Sequence, residues 1–248
     1  MKTTRLFLLL LLFSSINLFG QNKWDFDLGL GASLNSGNVN NCNINHALGI
    51  NRNDSLIALD FHYKLLYSSI INKYDTGRKW EETNFEINGG VKMDYLQYGR
   101  FSPFLAAEVF TNKYKGYDLK LSALVGLKYR IYVKPGVCDY SISAAFVFDR
   151  SDFTDETVLP NNNYRISIRP RIKQKLADNL NLVHYTFYQP SVLDFGDYII
   201  NSVTTLQTKL HKKLFLDIAF TYEYRSRVPS ENYRKHDILS EISVRLKI

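Results

Sequence analysis

Cysteine is nearly absent from this chain of 248 residues, and the two present, Cys42 and Cys138, stand too far apart to lay out a disulfide framework. Proline and glycine are sparse as well, at 6 and 13, and they gather into no linker or low-complexity tract. No apolar run approaches the ~20 residues that a membrane-spanning helix needs, and the longest, Leu6 to Phe13, is less than half of that. A helical membrane protein is thereby excluded. Charge of one sign is also missing: 31 Lys and Arg against 24 Asp and Glu give +7, a mild excess and no nucleic-acid footprint. What the chain does have is 45% apolar residues, with 17 Tyr and 16 Phe, which rules out intrinsic disorder. The length suits one domain. A transmembrane β-barrel survives every exclusion, because its alternating strands average to the hydropathy of a soluble protein.

Recognisable chemical motifs are missing too. Gly29-Leu30-Gly31 begins like a dinucleotide fingerprint, but Leu34 takes the place of the third glycine and no helical pattern follows. There is no Cys-x-x-Cys, no His-Glu-x-x-His and no Gly-x-Ser-x-Gly. The sequence therefore offers no catalytic residue, no metal-ligand set and no cofactor site, and it reads as a non-enzyme. Of the five histidines, His62 beside Asp60 is the most available base; a solvated histidine inside a barrel is the plainer meaning of it.

The first twenty residues are an address. Lys2 and Arg5 precede the apolar block, which passes through Ser14-Ser15 to Leu18-Phe19-Gly20 and then to polar Gln21-Asn22-Lys23. This is the shape of a secretory signal peptide, with cleavage expected after Gly20. Removing 1–20 leaves 228 residues, 21–248, with a net charge of +5.

Beyond Lys23 the dominant signal is alternation with a period of two, the mark of a strand with one apolar and one polar face. In the first segment Trp24, Phe26, Leu28, Leu30, Ala32 and Leu34 oppose Asp25, Asp27, Gly29, Gly31 and Ser33. In the third, Ile57, Leu59, Phe61, Tyr63, Leu65 and Tyr67 oppose Asp60, His62 and Lys64. Twelve such segments fit the chain, although the fifth, Phe101 to Thr111, is less decided and the ninth, Leu180 to Gln189, does not show which face is apolar. Tilted spanning strands need ~9 to 11 residues, and bacterial single-chain barrels have an even number of them. Connections alternate between roughly ten and roughly five residues, the asymmetry of long external loops and short periplasmic turns. The expected fold is thus all-β: a closed, antiparallel, up-and-down transmembrane β-barrel of about 12 strands. A soluble periplasmic ligand-binding β-barrel would turn the apolar face inward, and bulk such as Ile57, Phe61, Tyr63 and Tyr67 is too large for a small closed core.

Three stretches resemble a bacterial family catalogued as domain of unknown function 481, whose members are described as salt-induced outer-membrane proteins. They are Asn35-Ser36-Gly37-Asn38; Lys115-Gly116-Tyr117-Asp118 with Gly126-Leu127-Lys128-Tyr129-Arg130; and Arg227-Val228-Pro229 with Tyr233-Arg234-Lys235-His236-Asp237. Lys128 departs from the family's pattern where a second glycine is expected, and the chain ends in Ile248 rather than an aromatic residue. The resemblance spans nearly all of 21–248. It implies a barrel in the outer membrane and supplies no activity or catalytic residue.

Within such a barrel, Arg165, Arg169, Arg171 and Lys173 form a basic stripe on one face of the eighth segment. A cation facing lipid at the bilayer midplane costs roughly 2 to 4 kcal/mol, so the stripe is expected to face the lumen, with Ile166 and Ile168 towards lipid. It reads either as an anion-selective lining or, preferably, as one side of ion pairs with Asp60, Glu86, Asp94 and Glu108 on segments three to five. Lys113, Lys115, Arg234 and Lys235 fall in external loops, where they could meet lipopolysaccharide phosphates. Expected partners are therefore outer-membrane lipid and lipopolysaccharide, small solutes in the lumen, and the barrel-assembly machinery during insertion, with no nucleic acid. The expected role is a structural or narrow-channel one in the cell envelope; a barrel-embedded lipid-acting hydrolase or acyltransferase is the rival. Two further expectations follow from topology. Cys42 and Cys138 belong to opposite ends of the wall and are not bridged. The last strand pairs with the first, bringing Asp25 and Asp27 near Arg245 and Lys247.

Overall fold

The computed structural model describes residues 24–36, 41–53, 56–71, 80–228 and 233–248; the expected signal peptide lies outside them. The described chain forms twelve strands: β1 (Trp24–Ser36), β2 (Asn41–Asn53), β3 (Ile57–Ile71), β4 (Trp80–Tyr95), β5 (Phe101–Asn112), β6 (Tyr117–Lys134), β7 (Cys138–Phe153), β8 (Asn161–Ala177), β9 (Leu180–Pro190), β10 (Tyr198–Lys209), β11 (Leu214–Arg225) and β12 (His236–Lys247). Each pairs with the next in antiparallel register, and β12 returns to β1, so the sheet is a closed barrel. A 3₁₀ turn, Lys113–Lys115, joins β5 to β6. Closure gives each described strand a hydrogen-bonded neighbour on both sides.

Polarity is inverted relative to a soluble barrel. Leu30, Leu34, Ile44, Val125, Ile242 and Val244 lie exposed on the outer wall, whereas most of the fully buried side chains are polar: Asn43, Asn84, Asn112, Ser33, Ser102 and Ser167 beside Leu66 and Val147. The alternation carries this arrangement because successive side chains of a strand point to opposite faces. On β8, Ile166 and Ile168 are outside while Arg165 is buried within. The bulky residues are outside, as expected of a transmembrane barrel and unlike the soluble alternative.

Several strands run past their alternating segments. Backbone pairing continues to Ile71 and Trp80 between β3 and β4, and beyond Arg150 to Ser151 and Asn161 between β7 and β8. Only lipid demands an apolar outer face, so the pattern lapses where the wall leaves the membrane while the hydrogen-bonded ladder goes on. The two undecided segments have a related cause, aromatic residues turned inward. On β5, Phe104 is buried inside against Gly126 of β6, where a Cβ would stand 2.6 Å from the ring. On β9, Tyr185 and Phe187 face the lumen while His184 and Thr186 lie on the opposite face, so both faces are mixed.

Cys138 is a free, buried thiol at the start of β7, beside the short turn from β6. Cys42 pairs with Leu34 near the far end of the wall.

Candidate functional site

The inner faces converge on a cavity of about 390 Å³ within the barrel. β3 contributes His62 and Lys64, β4 Glu86 and Asn88, and β5 Glu108 and Phe110; Lys120 and Ser122 come from β6 and Arg169 from β8. Tyr185, Phe187 and Gln189 of β9 and Glu223 and Arg225 of β11 complete most of the wall. Every one of these strands delivers alternate residues to the lumen, so the lining is a direct product of the pleat. His62 stays 41% exposed although it points inward, and Glu108 is exposed as well.

The residues of the basic stripe do not share one fate. Arg165 is nearly buried and reaches Asp197 at 2.9 Å and Asp149 at 3.5 Å. It also donates to the backbone carbonyls of Gln189 and Asp197, at 3.1 Å each. Arg171 stands 3.7 Å from Asp139. Lys173 lies further along the same face, beyond Arg171. Arg169 donates through Nε to Ser167 Oγ at 2.7 Å and lies over the Phe187 ring, 4.6 Å from its centroid. The expected acidic partners are engaged elsewhere. Asp60 meets His62 at 3.2 Å, Glu86 meets Lys115 at 3.2 Å, and Asp94 meets Lys92 at 2.7 Å and Lys128 at 3.3 Å. For Arg165 and Arg171, the expected pairing with Asp60, Glu86, Asp94 and Glu108 is thus corrected to pairing with Asp139, Asp149 and Asp197. The reason is distance: β8 is flanked by β7 and β9, whose ends and connections carry those three carboxylates, while β3 to β5 lie further round the wall.

Small residues let one pair cross several strands. Lys64 of β3 is hydrogen-bonded to Glu241 of β12. Between them lie β2 and β1, where small Ala47 stands opposite Lys64 and Gly29 opposite Ala47.

At the long-loop end the lumen is closed on one side by a buried amide ladder. Asn43 donates to Ser33, Asn84 to Asn43 at 2.9 Å, and Asn112 to Asn84 at 3.0 Å and to Glu86 at 2.9 Å. Buried amides joined in this way are satisfied and hold the strands in register. Asn112 also caps the 3₁₀ turn by accepting from the Lys115 backbone N–H at 3.1 Å. That turn swings Lys115 inward, towards Glu86 and, at 3.9 Å, Glu223. Burial opposes the charge of the Lys115 ammonium, yet Glu86, Glu223 and Asp237 outweigh it and raise the pKa above the ordinary lysine value. Lys113, by contrast, is exposed and 3.8 Å from Asp118, and Arg234 and Lys235 are exposed beside the start of β12. Gly116 follows the turn at φ +85°, where a Cβ would stand 2.8 Å from the Tyr233 ring. The Gly116-Tyr117-Asp118 and Tyr233 stretches quoted above are therefore in contact.

Two features escaped the sequence reading. Glu223 and Arg225 form a buried pair, with Arg225 stacked 4.7 Å over Tyr117. Their i, i+2 spacing on β11 is the signal that could have revealed them. The Phe187 partner of Arg169 was hidden by the mixed faces of β9. His62 has a hydrogen bond to Asp60 at 3.2 Å.

Among solved structures the barrel is similar to NanC porin, with a TM-score of 0.57, 10% identity, and coverage of 89% of this chain and 100% of that one. A bacterial polysaccharide outer membrane secretin gives 0.52, 7% identity and coverage of 92% and 99%. The translocator domain of autotransporter NalP from Neisseria meningitidis gives 0.51, 9% identity and coverage of 94% and 91%. At such identities the likeness is one of fold. No curated protein matches the chain in sequence. The family model described as "Protein of unknown function, DUF481" matches residues 28–247, so the chain is a member of the DUF481 family with the fold of an outer-membrane β-barrel.

Proposed function

We propose that this protein is an outer-membrane barrel providing a narrow, polar passage for small solutes. The observation that carries the reading is the charge-lined cavity of about 390 Å³ inside a closed wall whose outer face is apolar. Its volume lies at the low end of the roughly 300–1,000 Å³ typical of small-molecule sites, which suits single small solutes rather than folded chains. Most charges around it are paired, so the lining lacks the uniform sign of a strongly anion-selective pore. The passage acts by sieving and local contacts rather than by chemistry. The apolar belt meets lipid, and Lys113, Arg234 and Lys235 at the mouth meet lipopolysaccharide phosphates. The chain reaches this location by cleavage of 1–20 and by insertion through the barrel-assembly machinery.

The test is conductance. Mature protein, refolded and checked by heat-modifiable mobility on a gel, is added to planar bilayers in KCl. Step-like currents well below those of large general pores are expected, and a folded barrel that carries no current would leave only a structural role. Mass spectrometry of protein recovered from outer membranes checks the mature N-terminus at Gln21.

A further inference from the structure

The charged residues that line the cavity are almost all paired with an opposite charge. Lys64 meets Glu241, Lys120 meets Asp149, Lys115 meets Glu86 and Glu223, and Arg225 meets Glu223. Glu108 and Arg169 are different. Neither has an oppositely charged partner within 4.0 Å among the described residues, although both line the same cavity.

Each is held so that its charge faces the open space. Glu108 stands on β5 between Gly90 and Ser122 in the ladders to β4 and β6, and the His62 ring, itself hydrogen-bonded to Asp60, lies over Gly90 beside it. Arg169 stands on β8 with its Nε committed to Ser167 and its plane laid on Phe187. Ser167 is fixed in turn by Gln189 at 3.1 Å. The guanidinium is therefore oriented while its two terminal nitrogens have no protein partner among the described residues. The β8–β9 ladder lapses here, between the pairs Ile168 with Tyr188 and Arg171 with Tyr185, because Pro170 has no N–H to donate. A carboxylate and a guanidinium that line one cavity without pairing present both charges to a solute that enters it.

We infer that the cavity holds a binding site for a small zwitterion, an ammonium and a carboxylate on one short frame. Glu108 receives the ammonium, Arg169 clamps the carboxylate, and Phe187 lies alongside the connecting carbons. This rests on the reading of the barrel as a solute passage and names the class of solute. Planar, two-pronged donation to carboxylate is what arginine does and lysine does not. A solute with one charge satisfies one wall and leaves the other charge unmatched, so the arrangement discriminates against simple anions and simple cations alike.

The probes are 4-aminobutyrate, butyrate and butylammonium, titrated into folded full-length mature barrel in detergent micelles and followed by saturation-transfer NMR. The expected result is saturable binding of 4-aminobutyrate, with at least tenfold weaker binding of the other two. Glu108→Gln and Arg169→Gln are each expected to abolish that preference. The exchanged pair, Glu108→Arg with Arg169→Glu, is expected to keep it, because a zwitterion can turn round. Heat-modifiable mobility establishes that each variant is folded. Equal binding of the three probes, no binding of 4-aminobutyrate, or a preference that survives both single substitutions would overturn the site. Conductance separates the two readings: a barrel that conducts without discriminating sinks the site alone, whereas one that binds without conducting sinks the passage alone.

Discussion

Arg245 of the last strand donates to Asp27 of the first at 3.1 Å, although 218 positions separate them in the chain. The same guanidinium reaches Asp217 of β11 through Nε at 2.7 Å, and Lys247 stands 3.1 Å from Asp25 nearby. The register at this seam sets Asp27 opposite Lys247 and Gly29 opposite Arg245. The seam is thus tied by charge across three strands as well as by the backbone ladder. Arg245→Gln leaves two carboxylates facing the lumen without this cation and is expected to destabilise the barrel by about 1.5 to 3 kcal/mol. Urea unfolding in lipid vesicles measures it. An unchanged midpoint would show that the ladder alone holds the seam.

Ile168→Arg puts a cation on the outer wall between the lumen-facing Ser167 and Arg169. The expected cost is roughly 2 to 4 kcal/mol if the position lies near the bilayer midplane. It appears as a fall in heat-modifiable protein recovered from outer membranes, while Ile168→Val keeps wild-type recovery.

Asn84 is fully buried and belongs to an amide ladder that spans four elements of the wall. Asn84→Ala strands a donor of Asn112 and an acceptor of Asn43, at an expected cost of about 1 to 3 kcal/mol. The unfolding midpoint should fall, and conductance should become noisier as the long-loop end loosens.

Gly116→Ala places a side chain at φ +85° and against Tyr233. The left-handed conformation alone costs about 1 to 2 kcal/mol for an L-residue. Because Gly116 precedes β6 and adds only one bond, from the Thr154 N–H, to the β6–β7 pairing, the barrel should still fold, but limited proteolysis should cut faster between β5 and β6 or before β12. Equal cleavage of the two proteins would mean that Tyr233 does not hold the loop.

Cys138 supplies a check on topology that needs no substitution. The thiol is buried beside a short turn, so maleimide should label it only after unfolding, and non-reducing gels should show no shift from a bridge to Cys42.

By itself the sequence determined the number of strands, the face that most of them turn to lipid, and the charges that meet at the seam. All three follow from local geometry. The pleat alternates side chains regardless of context, and the cost of a lipid-facing cation fixes the sign of the alternation, so Ile166 and Arg165 could be assigned without a structure. The two strands that resisted, β5 and β9, are those where lumen contacts recruited Phe104, Tyr185 and Phe187 inward and blurred the pattern. Tertiary structure decided who touches whom inside. It gave Arg165 to Asp149 and Asp197 and turned Lys115 in from its loop. Through the gap left by glycine and alanine, it sent Lys64 across β2 and β1 to Glu241. It also left Glu108 and Arg169 without an ion pair among the described residues. None of this is written in a period of two, because contact across a lumen depends on register, on the curvature of the closed wall and on where small side chains open a path for long ones.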